Sequence, residues 1–166
     1  MSISAADFLA SAKQLLLDAE QQGEVAIRNA MSRAYYAAFH QARSVFPVDS
    51  GFARNAGTGM HEAYIDQLMR SNPGTTERHT AVKLKGMKGR RGNADYRLGD
   101  DLPAYHAVMQ VKAAEDVFQL LDEASKSRAQ VGALSESACV ALESSAAIVD
   151  DSPPRATNRP TLQRIQ

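Results

Sequence analysis

Between Glu24 and Phe46 the chain runs for 23 residues without a glycine or a proline, and alanine recurs throughout. Alanine has the highest helix propensity, and the two residues that most oppose a helix are missing, so the stretch predicts one long helix ended by Pro47. At about 100° per residue, Ile27, Ala30, Met31, Ala34, Ala38, Ala42 and Val45 fall in one sector. The small alanines there allow another helix to approach closely.

Other segments carry the same period. Ala5, Phe8, Leu9, Ala12, Leu15, Leu16 and Ala19 mark a helix from about Ser4 to Gln21, with Ser4 as N-cap and Asp7 completing the cap. Asp49, Ser50, Gly51, Asn55, Gly57 and Gly59 read as a loop between Pro47 and Gly59. A shorter helix is expected over Met60 to Arg70, closed by Asn72-Pro73-Gly74. Another is expected over Thr76 to Met87, fraying at Gly86, Gly89 and Gly92. Asp100-Asp101-Leu102-Pro103 reads as an acidic cap before a long helix reaching Ala129, whose face is Ala107, Val111, Ala114, Phe118 and Leu121. An Ala/Ser-rich helix over Ala133 to Val149 follows Gly132, and the proline-rich polar stretch from Asp150 reads as a flexible tail. With no alternating run long enough for a strand, the class is all-α: one helical domain over residues 1–130, a helix over 131–149 and a tail over 150–166.

Nineteen basic and nineteen acidic residues balance, so any strong field must be local. The single cysteine, Cys139, excludes an intramolecular disulfide and a cysteine-rich zinc site, and points to a reducing compartment. No signal peptide or membrane span is read, so the expected location is the cytoplasm. Phosphate-loop, dinucleotide, HExxH and CxxC patterns are absent, and the four histidines lie far apart; neither a metal nor another cofactor is expected.

Two groups of residues bear chemistry. Opposite the alanine face of the long helix stand Asn29, Arg33, Tyr36, His40 and Arg43. The stripe reads either as a solvated face or as a groove; two guanidiniums, an imidazole and an aromatic suit phosphates and bases. The second group is cationic: Arg78, Lys83, Lys85, Lys88, Arg90, Arg91 and Arg97 against the single acid Asp95, punctuated by three glycines. It reads either as a solvated helix end or as a stretch whose guanidiniums and freed backbone N–H groups wrap a phosphate backbone.

Ser32-Arg33-Ala34-Tyr35-Tyr36-Ala37-Ala38-Phe39-His40 and Arg91-Gly92-Asn93-Ala94-Asp95-Tyr96 resemble, in order and spacing, two motifs of small bacterial and archaeal HEPN proteins. The resemblance covers about Ala6 to Ala129. It implies an antiparallel bundle of four to six helices, a homodimer, RNA as substrate, metal-independent RNA cleavage, and a role in toxin–antitoxin, phage-defence or stress systems. It also implies the candidate catalytic residues Arg91, Tyr96, His40, Arg33 and Asp95. The remaining residues of the stripe and the cationic stretch become RNA contacts. The chain departs from the family at two points: five residues after Arg91, where nuclease members carry histidine, stands Tyr96, and two positions further, where members paired with a nucleotidyltransferase carry tyrosine, stands Leu98. A binding or regulatory subunit without catalysis, for example the partner of a nucleotidyltransferase, is the alternative.

Overall fold

The computed structural model describes residues 3–48 and 59–146, with side chains through residue 127. Every regular element among them is a helix: α1 (Ala5–Leu17), α2 (Ala19–Gln22), α3 (Glu24–Val45), α4 (Met60–Met69), α5 (Thr76–Tyr96) and α6 (Tyr105–Ala146). Residues 49–58, which make up most of the loop read after Pro47, and the tail from Asp150 lie outside the described residues. The chain divides after Arg128 into two compact units, and the side-chain contacts below belong to the first.

The capping box expected at Ser4 is present. The Ser4 hydroxyl accepts from the Asp7 N–H at 3.2 Å, and the Asp7 carboxylate accepts from the Ser4 N–H at 2.8 Å. The helix read through Gln21 is broken at Asp18, so α1 and the single turn α2 are separate elements. Gly23, at φ +67°, makes the reversal into α3, a conformation that residues with a Cβ rarely adopt. At the far end of α3, Phe46 leaves the helical region at φ −119°, ψ 74°, as the residue before a proline must.

α3 is the central helix. Ala30, Met31, Ala34, Ala38 and Ala42 of its alanine sector are buried, together with Ala26, Tyr35, Ala37 and Phe39, while Ile27 and Val45 are half-buried. Around it lie Ala12 of α1, Tyr64, Ile65 and Leu68 of α4, Ala81, Leu84 and Met87 of α5, and Val111, Ala114, Val117 and Leu121 of α6. A second cluster joins Ala30 and Met31 to Ala94 and Ala107 near the other end of α3. Burying a side chain the size of Met31, Tyr35 or Phe39 contributes roughly 1.5–3 kcal/mol each, which makes α3 the principal source of core stability. Three packed pairs, α1 with α3, α3 with α5 and α5 with α6, run antiparallel. Phe8, early in α1, meets His40, late in α3; Arg28, early in α3, reaches the carbonyls of Ala94 and Arg97 at the end of α5; and Lys83 of α5 meets Asp116 of α6 at 3.0 Å.

Three boundaries differ from the sequence reading. α5 does not fray at its glycines but continues to Tyr96. Its far half is held from outside: Arg90 Nε donates to Gln110 Oε1 at 2.6 Å, the Gln110 amide donates to the Met87 carbonyl at 2.9 Å, and Arg28 caps the last carbonyls. Tertiary contacts outweigh the intrinsic cost of glycine. α6 starts at Tyr105, so Asp100 and Asp101 do not cap it. Asp100 instead gives its carbonyl to Arg28 and faces Arg97. Gly132 does not interrupt α6, which is continuous to Ala146.

Candidate functional site

The polar stripe of α3 emerges on one side of the bundle. Asn29, Arg33, His40 and Arg43 are exposed, whereas Tyr36 is half-buried because α5 crosses it. Phe8 of α1, which sequence reasoning assigned to the core, lies against the stripe instead. Its ring stacks on His40 with centroids 5.6 Å apart, and the Arg33 guanidinium stands 5.4 Å from its centroid. Tyr36 completes a triangle of rings, 6.3 Å from His40 and 6.4 Å from Phe8. Arg43 extends over Phe39 at 6.0 Å and toward the sulfur of Met60.

α5 brings Arg91 onto this surface. Its Nη2 donates to the Tyr36 hydroxyl at 3.2 Å, and its guanidinium lies between the rings of Tyr36 and Tyr96, 5.4 and 5.5 Å from their centroids. One helical turn on, the Asp95 carboxylate stands 2.6 Å from Arg91 Nε. Partial burial opposes the charge on Arg91, but Asp95, Tyr36 and Tyr96 outweigh it and raise its pKa above the usual arginine value. Tyr96 itself is 76% exposed at the rim. A groove of about 410 Å³ continues from Arg91 between α5 and α4, lined by Glu62, Lys85, Lys88, Gly89 and Tyr96.

Sequence reasoning missed His61. It is the second residue of α4 and lands among the aromatic residues of α3, with its ring centroid 4.1 Å from Phe39 and 5.7 Å from Tyr36. Its Nδ1 is 2.9 Å from the hydroxyl of Tyr35, which is 1% exposed. Burial, assisted by the neighbouring Arg91, His40, Lys88 and Arg43, holds its pKa below the ordinary histidine value, while burial pushes the Tyr35 phenol up. The only hint in the sequence is a histidine at the start of a helix, which does not reveal its partners.

The cationic stretch is not the wrapping ribbon that its glycines suggested. Its backbone N–H groups are used in the helix, and most of its side chains have partners around α5. Arg78 donates to the carbonyls of Met69 and Ser71 and closes α4. Lys83 pairs with Asp116, Lys88 with Glu62, and Arg90 with Gln110. Arg97, at the rim, stands 3.9 Å from Asp100. Among the described residues Lys85 has neither an ion pair nor a hydrogen bond. The structure therefore brings Arg33, Tyr36, His40, Arg91, Asp95 and Tyr96 together on one side. Asn29 and Arg43 lie farther along the same stripe, while Arg78, Lys83 and Arg90 serve neighbouring helices. No family model, curated protein or solved structure matches the chain.

Proposed function

We propose that this surface handles RNA phosphodiesters and that the protein is a HEPN-type, metal-independent endoribonuclease acting in the cytoplasm. The observation that carries the reading is the contact between Arg91 and Tyr36, since it joins the two stretches on which the HEPN resemblance rests. Arg91 is a permanent cation on a half-buried surface, suited to the charge that develops on a phosphate under attack. Exposed His40, four residues from Tyr36 on the same helix, accepts the proton of a 2′-hydroxyl. The 2′-oxygen then bonds to phosphorus, and the 5′-oxygen leaves with a proton from solvent, giving a 2′,3′-cyclic phosphate and a 5′-hydroxyl end. The exposed His40 ring, the half-buried Phe8 ring and the Arg33 guanidinium offer stacking faces for the flanking bases.

A second reading has its own support. Arg91 already has Asp95 and Tyr36 as partners, and Tyr96 points outward where nuclease members carry histidine. These features suit a subunit that binds RNA or a nucleotidyltransferase without cleaving anything. The HEPN resemblance also extends the proposal to a homodimer in a toxin–antitoxin, phage-defence or stress system.

The discriminating experiment is incubation of the purified protein with transfer RNA or total RNA in EDTA, beside Arg91→Ala and His40→Ala. Cleavage by the parent that is lost in both variants supports the ribonuclease. Intact RNA with salt-sensitive retention supports the binding subunit, and no retention at all removes RNA from the proposal.

A further inference from the structure

We propose that His61 is a phosphate-binding residue of this site: a neutral imidazole, fixed in one tautomer by Tyr35, whose Nε2–H donates to an oxygen of the phosphate held by Arg91. The inference rests on the RNA reading above and adds to it a donor from a helix outside both HEPN-like motifs.

The tautomer follows from hydrogen-bond accounting. Tyr35 is 1% exposed, and His61 Nδ1 is the sole partner of its hydroxyl among the described residues. A buried phenol keeps its proton and must donate it. With Nδ1 accepting, the remaining proton of a neutral imidazole is on Nε2. The hydrogen bond to Tyr35 is the only one the His61 ring makes among the described residues.

The charge state follows from the surroundings. His61 lies in the first turn of α4, where the helix dipole opposes a cation. Partial burial and the neighbouring Arg91, His40, Lys88 and Arg43 act in the same direction, and the adjacent Glu62 is paired with Lys88. A neutral ring can remain beside Arg91 without repelling it and still offer a proton to an anion.

The position follows from Tyr36. The His61 and Tyr36 rings pack edge to face with centroids 5.7 Å apart, and the Arg91 guanidinium lies 5.4 Å from the centroid of Tyr36. Arg91 and His61 thus both contact one aromatic, and the proposal places the oxyanion beside that ring, between the two. Phe39, 4.1 Å from the His61 centroid, and the Tyr35 hydrogen bond fix the ring before any ligand arrives.

Two measurements test this. The first is nitrogen-resolved NMR of histidine-labelled protein at neutral pH. The expected spectrum shows His61 protonated at Nε2 alone, and that signal shifts when a 2′-O-methyl oligoribonucleotide, which cannot be cleaved, is added. A proton on Nδ1 overturns the inference, as does an unmoved signal in protein that binds the oligonucleotide. The second is affinity for the same oligonucleotide. His61→Ala is expected to weaken it about tenfold, and His61→Gln, which returns an amide N–H near the place of Nε2, is expected to restore most of the loss. If folded His61→Ala binds like the parent while Arg91→Ala does not, His61 has no such role and the RNA reading stands. If the parent retains no oligonucleotide even at low salt, both fall. Should His61→Ala fail to fold, because it strands the Tyr35 hydroxyl, the glutamine variant and the NMR spectrum decide.

Discussion

Arg91 Nη2 donates to the Tyr36 hydroxyl at 3.2 Å and so ties α5 to α3 between positions 55 residues apart. A hydrogen bond from a charged donor is worth more than a neutral one, but partial exposure reduces it. Tyr36→Phe is therefore expected to cost about 1 kcal/mol of unfolding free energy. In a double-mutant cycle with Arg91→Ala, measured by urea denaturation, the coupling should be positive and of similar size. Strict additivity of the two changes would show that the bond contributes nothing in solution.

Gly89 and Gly92 are helical, with open space where a Cβ would stand. Each replacement by alanine is expected to stabilise the protein by about 0.5–1 kcal/mol, since glycine loses more backbone entropy on folding. Gly74, at φ +83°, should respond in the opposite direction to the same change. Thermal unfolding of the three single variants checks both signs. A loss of stability at Gly89 and Gly92 would indicate that α5 does not continue past Met87.

The fork of Arg28 holds the end of α5. It donates to the carbonyls of Ala94, Arg97 and Asp100 as well as to Glu24, with its side chain only 12% exposed. Arg28→Ala is expected to destabilise the domain by about 2 kcal/mol, and Arg28→Lys to recover only part of that, because one ammonium cannot span three acceptors. Hydrogen exchange should localise the added opening to residues 91–100. A uniform increase across the bundle would contradict the capping role.

Much of the bundle was readable because its signals are local. The alanine sector of α3, the Ser4–Asp7 box and the periodic face of α6 each lie within a few residues of one another, and the structure buries or bonds most of them, leaving Ile27, Val45 and Phe118 half-buried. What escaped depends on partners far away in the chain. Gly86, Gly89 and Gly92 look like the end of a helix until Gln110 and Arg28 are seen holding it. The cations of α5 look unopposed until α4 supplies Glu62 and α6 supplies Asp116. Phe8 has the spacing of a core residue, and only the placement of α1 against His40 turns it toward the stripe. His61 could not be assigned to the aromatic cluster, because nothing near it in sequence specifies the docking of α4 beside Tyr35 and Phe39.

The depressed pKa of His61 sets the sign of one pH response. An unfolded histidine titrates near 6.5, and the folded protein binds that proton less readily. This contribution is fully present above about pH 6.5 and is lost as pH falls through that value toward the lower folded-state pKa. Glu62 and Asp7, both held below their ordinary values, principally by hydrogen bonds from Lys88 and Ser4, add losses only under more acid conditions. Unfolding free energy followed from pH 7 downward should therefore begin to decline before the carboxylates titrate. His61→Gln should flatten that first part of the curve. An unchanged slope in the variant would assign the decline to another group.

One helix, α3, presents its alanines to the core and its Arg33, Tyr36 and His40 to the site within the same 22 residues. Adding a single residue near its middle would turn everything downstream by about 100°, exposing Ala38 and Ala42 while driving His40 inward. The span behaves like a screw of fixed pitch: individual threads can be recut, but their phase cannot slip without losing the interior and the working surface in the same step.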